Sequence, residues 1–325
     1  MNHATRIALA LLLLLSAAAC GDDNSGAASD AASNTTATSG DTSGTGGEIT
    51  PTPSDPSGAG YFEEGGFVLE DSHVNVMRTV AVVGETEPGV APGFDLDGRV
   101  SEGGEEETCG HPDLMSPEGS PGIDNQLAVM WPALEPLVGE AATALLQGSI
   151  NEGRILIMME MVGLDDLVND DDVTFNLYQG LGEPDIGTRG LLAPSQTYRF
   201  DAEFPHTTLE GVQVVDGEAI VGPIEMSVPI DILNVYYVLH ISHVWFRIQL
   251  HEDGTFSGFF TGAFNVFDLL EELYTSNAAP EAMLVAPVLT TNTDMGNVNG
   301  ECTLLSVAFT FEGTTAWVVR PESMR

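Results

Sequence analysis

Lysine is missing altogether. The nine cations of this chain are all arginines, set against 49 acids for a formal charge of −40. Without lysine there is no Schiff-base amine and no phosphate-cradling lysine loop. So acidic a body repels nucleic-acid phosphates and anionic headgroups alike, which excludes nucleic-acid binding. The sequence also lacks a G-x-S-x-G nucleophile elbow and an H-E-x-x-H metal helix. Carboxylate pairs are abundant (Glu105, Glu106, Glu107; Asp165, Asp166), and in a chain this acidic they discriminate nothing. Cationic partners stay open: divalent metal ions, basic peptides, or a salty medium in which acids keep the surface hydrated.

Long hydrophobic runs are scarce as well. The apolar stretch Ile7 to Leu15 is too short to span a bilayer, and it follows a polar start with one cation, Arg6. Small residues Ser16 to Ala19 come next and end at Cys20, the layout of a secretory signal over residues 1–19. Those small residues before a Cys resemble the lipobox of bacterial lipoproteins, although Ala17 stands where a Leu is usual. The resemblance implies a diacylated Cys20 sulfur, cleavage before it, and acylation of the new amino terminus. The alternative is an ordinary signal cut nearby, which would leave a lone exported thiol. Residues 20–60 are Ser, Thr, Gly, Ala, Asp and Pro with almost no large apolar side chain, a composition that predicts a flexible tether. Residues 61–325 remain as one β-rich domain.

Cysteine is rare too, at three residues. With Cys20 assigned to lipid, Cys109 and Cys302 are left, and in an oxidising exported compartment an even remainder predicts one disulfide. Closing so long a loop would contribute roughly 4–5 kcal/mol in the chain-entropy model and would bind the body into one unit.

Within that body, strand signals dominate. Residues 154–162 form an apolar run and 173–178 alternate, so the two are expected to pair across an acidic loop. Residues 209–215 and 218–221 flank Asp216-Gly217, a two-residue hairpin signal, and 224–228 follow Gly222-Pro223. Residues 235–250 carry apolar side chains on one parity up to Ile241 and on the other from Val244, which requires a bulge at Ser242-His243. The turn Glu252-Asp253-Gly254 then returns the chain, and pairing His251 with Thr255 sets Phe246 opposite Phe260 and Arg247 opposite Phe259. Helices are expected over 133–150, 266–274 and 280–288. The expected fold is mostly β or α+β: an antiparallel β-sandwich or curved open barrel with two or three short helices.

The candidate sites are acidic turns. Asp95-Leu96-Asp97-Gly98 and Asn297-Val298-Asn299-Gly300 each set two oxygen-bearing side chains two apart before a Gly, the middle of a calcium-loop pattern. Asp124 and Asn125 add donors, as do Asn169 to Asp172. Neither loop supplies the bidentate Glu of an EF-hand, and the plain alternative for both is a solvated turn. Calcium is the one candidate cofactor. His240, His243 and His251 are spaced poorly for a three-histidine metal site. Trp245, Phe259 and Tyr236 could form a sugar- or peptide-binding face, or else the second face of a sheet core.

The segments Gly93 to Ser101, Cys109, Pro121 to Gln126, Asp253-Gly254 and Asn299-Gly300-Glu301-Cys302-x-x-x-Ser306 together resemble uncharacterised predicted lipoproteins of myxobacterial type. That resemblance implies a Gram-negative envelope location and nothing catalytic. The expected function is a lipid-anchored envelope protein, in the outer membrane's periplasmic or surface face. Its head would be a non-enzymatic binding or structural surface domain for an envelope or extracellular ligand. The alternative is an envelope carbohydrate hydrolase using paired carboxylates.

Overall fold

The computed structural model describes residues 59–63, 66–70, 72–104, 109–135, 140–232, 235–276 and 278–320; Cys20, the expected signal and nearly all of the expected tether lie outside them. A short hairpin, β1 (Ala59–Glu63) and β2 (Gly66–Glu70), leads into β3 (Ser72–Val82). A loop follows, then the small hairpin β4 (Leu114–Met115) and β5 (Pro121–Ile123), and the helices α1 (Gln126–Leu134) and α2 (Glu140–Asn151). Next come β6 (Ile157–Val162), β7 (Asp170–Leu181), β8 (Gln196–Phe200), β9 (Thr207–Val215), β10 (Glu218–Ile232), β11 (Val235–Leu250) and β12 (Phe256–Asn265). Helices α3 (Val266–Thr275) and α4 (Ala279–Thr290), the short β13 (Met295–Gly296) and the long β14 (Cys302–Val319) complete the order.

The mostly antiparallel β fold is present, and its large sheet curves until its ends meet. Strands β3, β6, β7, β9, β10, β11, β12 and β14 pair in that order, and β14 pairs back to β3, every contact antiparallel. Phe175 of β7 lies 5.9 Å from Phe246 of β11, and Phe246 lies 6.1 Å from Phe311 of β14. None of those strands are neighbours, so the rings touch across the inside. Val212, Val214, Ala219, Val221 and Ile248 are buried there, while Gln213 and Gln249, at alternate positions, are exposed. Burying each large apolar side chain contributes about 1.5–3 kcal/mol, so this filled interior is the main stabilising element.

Local signals set the registers. Asp216 and Gly217 both have positive φ (52° and 78°), the conformation that a two-residue hairpin needs. Phe246 pairs with Phe260 and Arg247 with Phe259, as the turn at Gly254 (φ 77°) dictates. The register of β11 slips between Ser242 and Trp245, and His243 takes φ 55°. The segments expected on either side of Gly222-Pro223 are one strand, β10, interrupted by a bulge; proline has no N–H for the ladder, so the interruption is local. The helix expected over 133–150 is two helices. The Asn125 side chain caps α1 by accepting from the Ala128 N–H at 3.2 Å, so it begins well before Pro132, which sits inside it.

Strand β8 pairs in parallel with the end of β14 and antiparallel with the end of β7, bridging two strands that are not ring neighbours. Its Tyr198 and Met158 of β6 both crowd Gly180, where an added Cβ would lie 3.4 Å from the Tyr198 Cβ and 2.7 Å from the Met158 sulfur. β6 is therefore buried on both faces from Ile157 to Met161. Glu160 is fully buried there, held by Arg320 and by the Asn176 amide at 3.0 Å. A charge is tolerated in such a place only with partners.

Candidate functional site

The loop after β3 crosses the outer face of β11, β12 and β14, and the alternation of its residues builds the site. Phe94 stacks on Trp245 at 5.7 Å and meets Phe259 at 5.5 Å, with the Arg247 guanidinium over both the Phe94 and Phe259 rings. Leu96 is buried with Ala263, Met295 and Leu304. With Phe94 and Leu96 turned to the barrel, Asp95 and Asp97 are turned to solvent, where both are exposed. The Trp245 and Phe259 rings thus anchor this loop, and Tyr236 lies apart from them with 65% of its surface exposed.

The turn is closed by its own carboxylates. Asp95 Oδ1 accepts from the Gly98 N–H at 2.6 Å and the Arg99 N–H at 3.2 Å, and Asp97 Oδ1 accepts from the Arg99 N–H at 2.9 Å. Asp124 arrives from the β5–α1 junction, with its Oδ2 accepting from the Leu96 N–H at 2.6 Å and its own N–H donating to Phe94 O at 3.0 Å. One oxygen from each of Asp95, Asp97 and Asp124 then lies within 4.8 Å of the others. Gly122 permits the approach: its φ is 82°, and a Cβ there would lie 2.8 Å from Arg99 O and 3.3 Å from Asp95 Oδ2. Any side chain would wedge the two segments apart.

Burial pushes the Asp124 carboxyl up to about 8, with Asp97, Asp294 and Asp113 adding to the rise against the Leu96 hydrogen bond. Asp294 is raised to about 6, chiefly by burial, although it accepts from the Ser306 N–H at 2.8 Å and from the Ser306 hydroxyl. Ser306 Oγ in turn accepts from the Gln126 N–H at 2.8 Å, which fastens the start of α1 to β14. Asp113 accepts from the Ser101 N–H at 2.5 Å. Negative charge is thus concentrated around one buried carboxyl, the condition that a bound cation relieves.

Of the sequence candidates, the fold brings together Asp95, Asp97 and Asp124. Asn125 is spent on the α1 cap and on Pro92 O, to which its amide donates at 3.2 Å. Asn297 is closed on its own turn: Oδ1 accepts from the Asn299 and Glu301 N–H groups, and Nδ2 donates to Glu301. Asn299 is exposed in that turn. Cys109 and Cys302 form the expected disulfide, with Cα atoms 5.6 Å apart and 193 residues between them. His240, His243 and His251 hydrogen-bond to Ser227, Ser242 and Ser257 respectively. Asp294 was not legible as a member of the site, because only the barrel brings so distant a residue to Asp124; Asp113 is near in sequence but joins through its hold on the Ser101 N–H. Comparison with known proteins finds no matching family model, no matching curated protein and no matching solved structure.

Proposed function

We propose that this is a lipid-anchored cell-envelope protein whose β-rich head is a non-enzymatic binding or structural surface domain, stabilised by calcium at Asp95, Asp97 and Asp124. The carrying observation is the meeting of three carboxylate oxygens within 4.8 Å, from two segments joined across Gly122. Calcium takes six to eight oxygens at about 2.3–2.6 Å, and three carboxylates with neighbouring backbone carbonyls are donors of the right hardness. Unit charges about 4 Å apart repel by ~1 kcal/mol each even in water, and a divalent cation reverses the sign. The short apolar run, Cys20 and the polar segment after it support the anchor. Among the described residues no helix is long and apolar enough to cross a membrane.

The test is thermal melting of the whole protein with EDTA and with calcium. Free calcium at about 100 times Kd stabilises by about 2.7 kcal/mol, a rise of roughly 5–10 °C for a domain of this size. Asp97→Asn should abolish most of that rise. An unchanged midpoint in wild-type protein removes calcium from the account. Mass spectrometry of material from the native host reads the anchor separately, as an acyl mass on Cys20.

A further inference from the structure

We propose that the groove along the seam between β9 and β10 binds an extended peptide segment rich in arginine or lysine. The inference rests on the reading of the head as a binding domain and names its partner class. β9 and β10 pair only at Val215 with Glu218 and Val214 with Ala219, directly beside their hairpin turn. Beyond Ala219 the two strands run on without ladder pairs between them, until the Thr207 hydroxyl donates to Glu225 O at 2.7 Å. Continuing the hairpin register would set Gly211 opposite Gly222, and both have positive φ (72° and 146°). Two facing positions without side chains leave a trench in the sheet. Nothing lies within 4 Å of a Cβ position on Gly211, so the trench is open over β9, whereas a Cβ on Gly222 would lie 2.8 Å from the Trp245 ring.

This groove of about 780 Å³ meets a second of about 550 Å³, the two sharing Gln213 and Val215. Val215 and Ile220 are 56% and 39% exposed in the first, and they offer aliphatic surface to the stems of long cationic side chains. Glu210, Asp216 and Glu218 line the first groove, and Asp165, Asp166, Asp170 and Asp171 the second. No arginine is among the described residues that line either. Arg247, opposite Ile220 across β10 and β11, is held between Glu118 at 3.5 Å and Glu218 at 3.7 Å. The Asp165 N–H, helped by that of Asp172, holds the Asp170 carboxyl below its usual range, so this acid is ionised at neutral pH.

The spread of these carboxylates selects a long ligand over a single ion. Among the described residues, the three carboxylates whose oxygens gather within 4.8 Å are Asp95, Asp97 and Asp124, and no groove acid is one of them. Strand rise puts Glu210 about 20 Å along β9 from Asp216. An extended peptide of eight residues covers about 25 Å, with alternate side chains about 7 Å apart on one face, so its cations meet carboxylates in succession. A second copy of this chain, a nucleic acid or an acidic peptide would bring negative charge to a body of −40. A neutral peptide gains nothing from the acids.

The test is fluorescence anisotropy with the full chain in detergent, EDTA and about 150 mM salt, using a labelled octapeptide that alternates arginine with serine. Octapeptides alternating glutamine or glutamate with serine are the neutral and acidic controls, and spermine is a cation of equal charge without a peptide's shape. The arginine peptide should bind with Kd of about 100 μM or tighter, and both control peptides about tenfold more weakly or worse. Glu210→Gln combined with Asp216→Asn should weaken binding about fivefold or more, and Ile220→Ser about twofold or more. Melting midpoints should stay close to wild type, since all three residues are exposed. The same loss of charge made at exposed positions of α3, Asp268→Asn with Glu271→Gln, should weaken binding less than about twofold. Failure of the arginine peptide to bind would overturn the proposal. So would equal weakening by the two double variants, indifference to Ile220→Ser, or spermine binding as tightly as the peptide, because bulk charge alone would then be read. None of those outcomes alters the EDTA shift or the acyl mass, so the calcium and anchor readings stand or fall separately.

Discussion

Replacing Asp294 with asparagine should make the protein more stable at alkaline pH, against the usual cost of removing a hydrogen-bonded carboxylate. Burial raises the Asp294 carboxyl from 3.8 to about 6, more than the Ser306 hydrogen bonds lower it, and Asp113 adds repulsion. An acid whose folded pKa lies above its unfolded value favours the fold only while protonated. That contribution is whole below about pH 4 and is lost as the pH rises through about 6. Two units at about 1.36 kcal/mol each would amount to about 3 kcal/mol. The residue is only half-buried, and solvent screening reduces this to about 1–2 kcal/mol. Asparagine keeps the shape and loses the charge: its Oδ1 still accepts from the Ser306 N–H, and its Nδ2 donates to the Ser306 hydroxyl oxygen. Thermal melts in EDTA should nearly coincide at pH 3.5, and Asp294→Asn should melt about 3–6 °C higher at pH 8. A variant that melts lower than wild type at pH 8 would refute the reasoning, because the charged hydrogen bonds would then outweigh burial.

Three further outcomes follow from packing and backbone geometry. Phe246→Ala removes the ring that contacts Phe175, Phe260 and Phe311, and should cost about 3–5 kcal/mol by urea unfolding; a loss under about 1 kcal/mol would mean that the barrel interior is not tightly filled. Gly258 has φ 154°, and a Cβ there would sit 1.9 Å from Arg247 O, so Gly258→Ala should cost about 2–4 kcal/mol by the same assay. Gly148, in α2 with nothing within 4 Å of its Cβ position, should gain about 0.5–1 kcal/mol on the same substitution.

Short-range patterns were legible because they are decided by neighbours in the chain. Asp216-Gly217 and Asp253-Gly254 specify their turns through the left-handed backbone each requires, and those turns then fix which residues face each other across β11 and β12. The parity change at Ser242-His243 forced a bulge, since one face of β11 must stay apolar throughout. The alternation of Phe94, Asp95, Leu96 and Asp97 likewise turned the two acids outward once the two apolar side chains had a surface to meet. The oxidised pair Cys109–Cys302 was available by elimination, given the compartment that Cys20 implies.

The pairing of β12 with β14 had no counterpart in local signals, because ring closure depends on the summed twist and stagger of every intervening strand. The same holds for the company that Asp124 keeps. Its sequence neighbours make it a helix-start acid, and only the close approach at Gly122 sets it against Asp95 and Asp97. The orphaned oxygen of Gln179 is likewise a tertiary fact: its residue is 4% exposed and its amide nitrogen is used on Arg154 O and Gly180 O, which leaves the oxygen buried without a partner. Charge sign, chain-local turns and face alternation are properties of residues a few positions apart, so the sequence by itself determined them. Which distant carboxylates share a volume, and which buried acceptor lacks a donor, were decided by the closed barrel, because low dielectric and fixed distance exist only after the strands have met.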